Sequence, residues 1–333
     1  MFANKRKING KTYYYLEHSY RLGNKVQKVY FKFSKAPKFS LNDFIASNKE
    51  ALEQFAKKRA EHIKKNLGFS RFFEYGAQLE TIEKGRVLFQ IFIKSIDKTT
   101  EEGIISEYLR KFTVNNMAME GGTITYNDAA AIDNAKKGDN LVLKGNLQDM
   151  KLYLQLKKAF NMLNATRLQN KEQIRKLHKV IYAGVYSFAG EFKKMKNWFG
   201  GMEQAVTSSP KNVPSELNKA IKRFHSMNGK INEFERIINF HIDYERVHPF
   251  QDGNSRLGRL ILNHQFMKAG YPPLLYEHKR SSAYRNALAK AVNNPKKNTA
   301  ILKYFYENYN RSLNKFWMPL IEKHIGERLN SAA

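Results

Sequence analysis

One run of twelve residues, His248-Pro-Phe-Gln-Asp-Gly-Asn-Ser-Arg-Leu-Gly-Arg259, constrains the chain more than any other feature. It gathers a titratable imidazole, a carboxylate, a small-residue turn and two arginines. It opens directly into apolar periodicity at Leu257, Leu260, Ile261, Phe266 and Met267, which Gly270 and Pro272-Pro273 bring to a stop. That pattern predicts a helix whose N-terminus starts at Gly253-Asn254-Ser255. Free backbone N–H groups and the helix dipole make such an end an anion site. Arg256 and Arg259, three positions apart, lie on roughly one face of its first turns. His248 is the residue here whose ordinary pKa suits general-base work near neutral pH. Asp252 is a hard oxygen ligand suited to Mg²⁺, an ion that pairs one or two carboxylates with substrate phosphates. Gly253 lets the backbone approach an anion, and Asn254 tolerates the angles that turn N–H groups inward. Phe250 is expected in the core, pinning the loop. The run reads as a phosphate- or nucleotide-handling site with a base beside it.

The rest of the chain limits what can surround this site. At 333 residues, with 42% hydrophobic and 13% aromatic content, the expectation is a folded protein of one large or two medium domains. No apolar run approaches the roughly 18–20 residues of a membrane span. No apolar segment follows the N-terminal Met-Phe-Ala, so a cytoplasmic protein without membrane association is expected. Absence of cysteine removes disulfides, thiolate metal sites and a Cys nucleophile. The net charge of +28, from 58 basic and 30 acidic residues, favours polyanionic company or marks a lysine-rich solvated surface.

Residues 1–35 carry nine Lys/Arg and one acid, Glu17. Thr12–Tyr20 and Lys25–Phe33 are rich in β-formers and flank Gly23-Asn24, which predicts a basic β-hairpin over 1–36. Such a ribbon is either a solvated docking hairpin with lysine-guarded edges or a nucleic-acid contact. Beyond Pro37 the pattern is almost all helical. Helices are expected over 48–67, 74–95 and from Thr99-Thr100, as N-cap, towards Glu120, with Gly121-Gly122 as the stop. A turn at Asn127-Asp128 and a polar stretch to Asp149 follow. Further helices are expected at 150–163, 171–182, 214–224, 233–247, 281–292, 298–312 and 314–328. The irregular stretch from Ala189 to Pro214 is too long for a simple connection, and loops of that length often bind. His241 shares an apolar stripe with Phe234 and Ile238 and reads as a core histidine, not as a metal ligand beside Asp243. No His-Glu-x-x-His, Walker loop or Gly-x-Ser-x-Gly elbow is present.

The run 248–259 resembles the signature of the Fic domain family, His-Pro-Phe-x-(Asp/Glu)-Gly-Asn-Gly-Arg-x-x-Arg, with Ser255 in place of one glycine. Ala189-Gly-Glu-Phe-Lys193 is similar to the family's Ala-Gly-x-x-Arg segment, with Lys193 where arginine is usual. The resemblance spans about residues 100–310. It implies a mainly α, Fic-fold helical bundle with a small β-hairpin flap, here preceded by the N-terminal β-hairpin. The expected divisions are 37–140 for a helical region, 141–312 for the Fic core and 313–333 for a terminal helix.

The resemblance further implies transfer of AMP from ATP, with Mg²⁺, to a Ser, Thr or Tyr hydroxyl of a protein. His248 would take the hydroxyl proton and Asp252 would hold Mg²⁺. Gly253, Asn254, Ser255, Arg256 and Arg259 would bind phosphate. Trp198–Gln204, with Phe199, Gly200, Gly201 and Met202, would form the flap that docks the target as an added strand. Upstream, Asn116-Met-Ala-Met-Glu120-Gly121 resembles the family's inhibitory motif, (Ser/Thr)-x-x-x-Glu-(Gly/Asn), with Asn116 replacing Ser/Thr. It implies that Glu120 pairs with Arg259 and displaces the ATP γ-phosphate, or orients a water for AMP removal. Self-modification and a homodimer stand among the partner expectations. The alternatives are transfer of another phosphoryl group, a basic nucleic-acid-binding protein and a toxin–antitoxin partner.

Overall fold

The computed structural model describes residues 2–22, 25–33, 49–66, 76–136, 145–165, 168–201, 203–294, 296 and 298–330. The expected hairpin turn at Gly23-Asn24, the boundary at Pro37, the helix stop at Gly68 and flap residue Met202 lie outside them. An antiparallel sheet, β1 (Phe2–Ile8), β2 (Lys11–Leu22) and β3 (Lys25–Phe33), comes first. The sequence predicted two of these strands. The third, β1, turns back through Asn9 (φ 50°) and Gly10 (φ 77°), the left-handed pair that a tight two-residue hairpin requires. Its own residues are poor β-formers, and pairing along the twelve-residue β2 supplies what their propensity lacks.

Helices α1 (Lys49–Asn66), α2 (Gly76–Ser95) and α3 (Lys98–Ala118) follow. The cap of α3 is Asp97, which accepts from the Thr100 N–H at 2.9 Å, in place of the expected Thr99-Thr100 cap. A charged carboxylate is the stronger acceptor for an orphan N–H at a helix start. Where a polar turn was expected, Tyr126–Asn134 forms α4. Thr125 and Asp128 close a reciprocal capping box there, so Asp128 starts a helix and not a turn.

The remaining helices are α5 (Leu147–Ala165), α6 (Lys171–Tyr182), α7 (Val213–Ser226), α8 (Glu233–Val247), α9 (Asn254–Lys268), α10 (Ser281–Asn293), α11 (Thr299–Ser312) and α12 (Met318–Asn330). A two-stranded hairpin, β4 (Trp198–Gly200) with β5 (Gln204–Val206), interrupts the stretch between α6 and α7. Helix α5 runs through Asn164 to Ala165, two residues past the expected end at 163. The expected division at 312/313 falls inside a continuous helical run, because a π-type turn over Leu313–Trp317 joins α11 to α12. Trp317 is fully buried there and donates to the Pro273 carbonyl at 2.9 Å.

The centre of the bundle is α8 packed on α9. Leu257, Leu260, Ile261, Leu262 and Phe266 of α9 are buried, each stabilising by about 1.5–3 kcal/mol. The helix closes in a Schellman motif at Gly270, whose N–H reaches the Met267 carbonyl while Tyr271 reaches Phe266. Its start is therefore a rigid platform for chemistry. Among the described residues no helix is long and apolar enough to cross a membrane.

Candidate active site

Helix α8 ends on His248 itself, in the left-handed conformation (φ 47°), and Pro249 blocks any continuation. That backbone costs a non-glycine residue about 1–2 kcal/mol. The fold fixes it by holding the side chain. Nδ1 of His248 lies 3.1 Å from the Glu245 carboxylate, one helical turn back and fully buried. A carboxylate at Nδ1 fixes the orientation of the ring and leaves Nε2 on its far side. Burial alone would push the Glu245 carboxyl up, but the hydrogen bond from His248 and the nearby His241 and Arg259 hold it below the usual range. The ring of Phe199, from β4, stacks on the imidazole at 4.9 Å and 14°.

The loop after His248 is braced at each step. Phe250 is buried and stacks on His178 at 3.7 Å. Asn254 clasps the backbone of Phe250, accepting from its N–H at 2.8 Å and donating to its carbonyl at 2.7 Å. Asn254 is helical, and the left-handed residue is Gly253 (φ 80°), so the expected backbone role of Asn254 belongs to Gly253. A Cβ at Gly253 would fall about 2.3–2.5 Å from the Tyr182 ring, so only glycine fits. His178 donates from Nε2 to the Asp252 carbonyl (3.0 Å) and accepts the Gly190 N–H at Nδ1 (2.9 Å). Burial lowers its pKa to about 4, which matches a neutral ring with one donor and one acceptor.

No side chain caps α9, so the N–H groups of Asn254, Ser255 and Arg256 point out of the first turn without intrahelical partners. Beside them, Asp252 is exposed and accepts the Tyr186 hydroxyl at 2.6 Å. Arg256 sits over the Tyr182 ring at 5.6 Å. With Glu120, Tyr186 and Asp149 it lines a polar cavity of about 180 Å³. Arg259 is fully buried between the rings of Tyr276 and Tyr284 (5.8 and 5.5 Å).

Two residues from the upstream segment, Asn116 and Glu120, meet these arginines, and a third, Met119, meets Arg285. Asn116 accepts from Arg259 Nε at 2.6 Å and donates to the Arg256 carbonyl at 3.1 Å. Its own carbonyl accepts from Arg259 Nη2 at 3.1 Å. Glu120 accepts from the same Nη2 at 2.8 Å, with 27% of its side chain exposed. Arg285 of α10 donates to the Met119 carbonyl at 2.9 Å. Around Arg259 burial opposes the charge, while Glu120 and the two tyrosines outweigh it and raise its pKa above the ordinary value.

The hairpin is tied down at its base. Lys193, buried, donates to Asn197 (2.6 Å), Thr207 (2.9 Å) and the Val247 carbonyl (3.3 Å). Burial lowers its pKa to about 8. Gly200, at φ 134°, makes the turn, where a Cβ would strike the Glu203 carbonyl. Asn293 of α10 caps the outer edge of β5, accepting from Val206 N–H (3.0 Å) and donating to the Gln204 carbonyl (2.9 Å). Pairing parity then makes Phe199–Ala205 the hydrogen-bonded pair and turns the polar groups of Trp198 and Gly200 outward.

His248, Asp252, the start of α9, Arg256, Arg259, Glu120 and Phe199 therefore converge, and Gly200 and Gly201 cap the hairpin above them. Sequence reasoning missed Glu245, His178, Tyr186, Asn197 and Arg285. Glu245 had a signal: its three-residue spacing from His248 puts both on one helix face.

A helical domain with a histidine at one helix end and an uncapped helix start beside it defines the class. Residues 168–266 match the model of the Fic/DOC family. It is 29% identical over 189 residues to the protein adenylyltransferase Fic of Drosophila mojavensis, covering 55% of this chain and 32% of that one. The Drosophila grimshawi protein of the same name matches at 29% over 143 residues, 40% of this chain and 28% of its own. The chain thus spans about a third of the length of these curated relatives. A Fic domain containing signaling protein from Bacteroides thetaiotaomicron shares the fold (TM-score 0.60, 20% identity, 72% of this chain and 95% of that one). So does Fic-1 from C. elegans (TM-score 0.54, 16% identity, 86% and 90%).

Proposed function

We propose that the chain is a protein adenylyltransferase that moves AMP from ATP to a protein hydroxyl and is held in check by Glu120. The observation that carries this reading is the Glu245–His248 pair, which holds the imidazole beside the uncapped start of α9. The target O–H attacks the α-phosphorus while Nε2 of His248 takes its proton. The bond from that phosphorus to the bridging oxygen breaks, and pyrophosphate leaves. The N–H groups of residues 254–256 and the Arg256 guanidinium face the charge that develops, a preorganised arrangement of the kind that dominates phosphoryl chemistry.

Asp252 is the residue that would hold Mg²⁺. It is an exposed carboxylate on the phosphate loop, and one such ligand suffices for an ion that draws the others from phosphates and water. The ion would supply charge neutralisation on the phosphates. The outward edge of β4 runs past His248, which supports docking of the target as an added strand there.

Glu120 occupies Arg259 as a γ-phosphate would, which favours a resting state that binds ATP unproductively. Removal of AMP by a water that Glu120 orients remains the reverse use of the same groups. Labelled ATP with wild type, Glu120→Gly and His248→Ala tests the reading. Glu120→Gly should raise autolabelling by at least tenfold and His248→Ala should abolish it. Equal labelling of wild type and Glu120→Gly removes the inhibition, and labelling of His248→Ala removes the mechanism. Mass spectrometry of the adduct separates AMP from other phosphoryl groups.

A further inference from the structure

The N-terminal sheet takes no part in this chemistry, yet its register sorts its charges. Residues opposite one another share a face, which puts Arg6 with Tyr13, Ile8 with Lys11, Tyr15 with Lys32, Glu17 with Tyr30 and Ser19 with Lys28 on one side. Arg6, Lys11, Lys28 and Lys32 are all exposed there. Lys5 and Lys7 belong to the other side, where Tyr14 packs against the core. The one carboxylate on the basic face is Glu17, buried and already tied to Arg6 (3.1 Å) and Lys28 (2.8 Å). Four cations against one neutralised acid leave a positive face.

The cations are also held in place. Lys32 lies over the Tyr13 ring at 3.8 Å, and Arg6 over Tyr15 and Tyr30 at 5.6 and 5.1 Å. Cation–π contacts of this kind fix a long side chain on a rigid shelf, so less ordering entropy is lost when it meets an anion. Lysines that only guard an edge against aggregation need no such shelf. The rings covered by cations offer little open face for stacking bases, which argues for phosphate contact over capture of unpaired bases. Strands β1 and β3 stand about 10 Å apart, and Lys28 and Lys32 about 13 Å apart along β3. A duplex carries a negative charge about every 1.7 Å of its axis, so a patch of this size spans several phosphates.

We propose that this face of the β1–β2–β3 sheet docks the sugar–phosphate backbone of a nucleic-acid duplex, without reading its sequence. The site is independent of AMP transfer and stands or falls apart from it.

Fluorescence anisotropy of a labelled random-sequence DNA duplex, titrated with the full chain between about 50 and 200 mM salt, tests this. Four phosphate contacts should give a slope of log K against log salt of about −3.5. Lys11→Gln with Lys32→Gln should reduce the slope by about 2. These two lysines are exposed and not tied to Glu17, so the fold and autolabelling should be unchanged. The charge-matched control, Lys98→Gln with Lys194→Gln, removes two of the most exposed lysines elsewhere and should leave the slope in place. Three results overturn the proposal: no binding, an equal loss of slope in the control, or tighter binding to a single strand than to the duplex. The last would assign the face to base stacking.

Discussion

Asn116 is where the proposed gate can be opened without touching the reacting groups. Its side chain is fully buried and makes two hydrogen bonds, one to the Arg259 guanidinium and one to the Arg256 carbonyl. Both exist only while the end of α3 is seated on α9. Asn116→Ala removes them and keeps the backbone bond from Arg259 to residue 116 and the Glu120 pair. A bond to a charged group contributes about 1.5–3 kcal/mol and a neutral one about 0.5–1.5, so the seated state should lose roughly 2–4 kcal/mol. At about 1.4 kcal/mol per tenfold, the unseated population rises by between one and three orders of magnitude. Autolabelling at limiting ATP should rise towards the Glu120→Gly level, which is its ceiling, because Arg259 is then free for nucleotide. Affinity for a non-hydrolysable ATP analogue should rise in parallel, and Tm should fall. The refuting result is specific. If labelling and ATP affinity both drop, Asn116 holds Arg259 in place for the nucleotide, and the segment is no gate.

Two further predictions concern the braces around the site. His178, His241 and His264 are buried with pKa values lowered to about 4 by burial, so each contributes stability that is present above the unfolded pKa of about 6.5 and is lost as pH falls towards 4. Unfolding then takes up as many as three protons, so thermal or denaturant melts should show stability falling by up to about 4 kcal/mol per pH unit midway through that window, with His178→Gln removing about a third of the slope. Lys193→Met removes the three bonds that tie Asn197, Thr207 and Val247 together, at a cost of about 1–3 kcal/mol for the acceptors left unpaired; hydrogen exchange at Phe199 and Ala205 should quicken at least tenfold, and an unchanged rate would release Lys193 from any role in the hairpin.

Elements with strong periodicity and a side-chain cap were legible to the residue. Lys171–Tyr182 and Glu233–Val247 stand where expected, each behind a capping asparagine, Asn170 and Asn232. The Thr125–Asp128 box carried the same information and was outweighed by the turn preference of Asn127-Asp128, the competition that local side-chain bonding creates. Strand β1 was illegible for a different reason: its residues do not alternate, and it is paired along its length with β2.

The site divides along the same line. Its reacting groups are contiguous because one helix end, one turn and one helix start can supply a base, a carboxylate and an anion loop within twelve residues. What controls them cannot be contiguous, because a gate must be able to leave without dismantling the site. Glu120 meets this condition. It follows the last turn of α3, while Tyr108 and Phe112 anchor the same helix in the core further back. Asn116, Glu120 and the Arg285 bond to Met119 hold that end against α9 and α10, beside the buried side chains of Met117 and Met119. Arg285 lies on the helix whose far end, through Asn293, also caps β5 of the hairpin. Helix α10 therefore bonds both to the proposed gate, at Met119, and to the hairpin proposed to dock the target, at β5. A shift that frees Met119 would act on the same helix whose far end holds the hairpin beside His248.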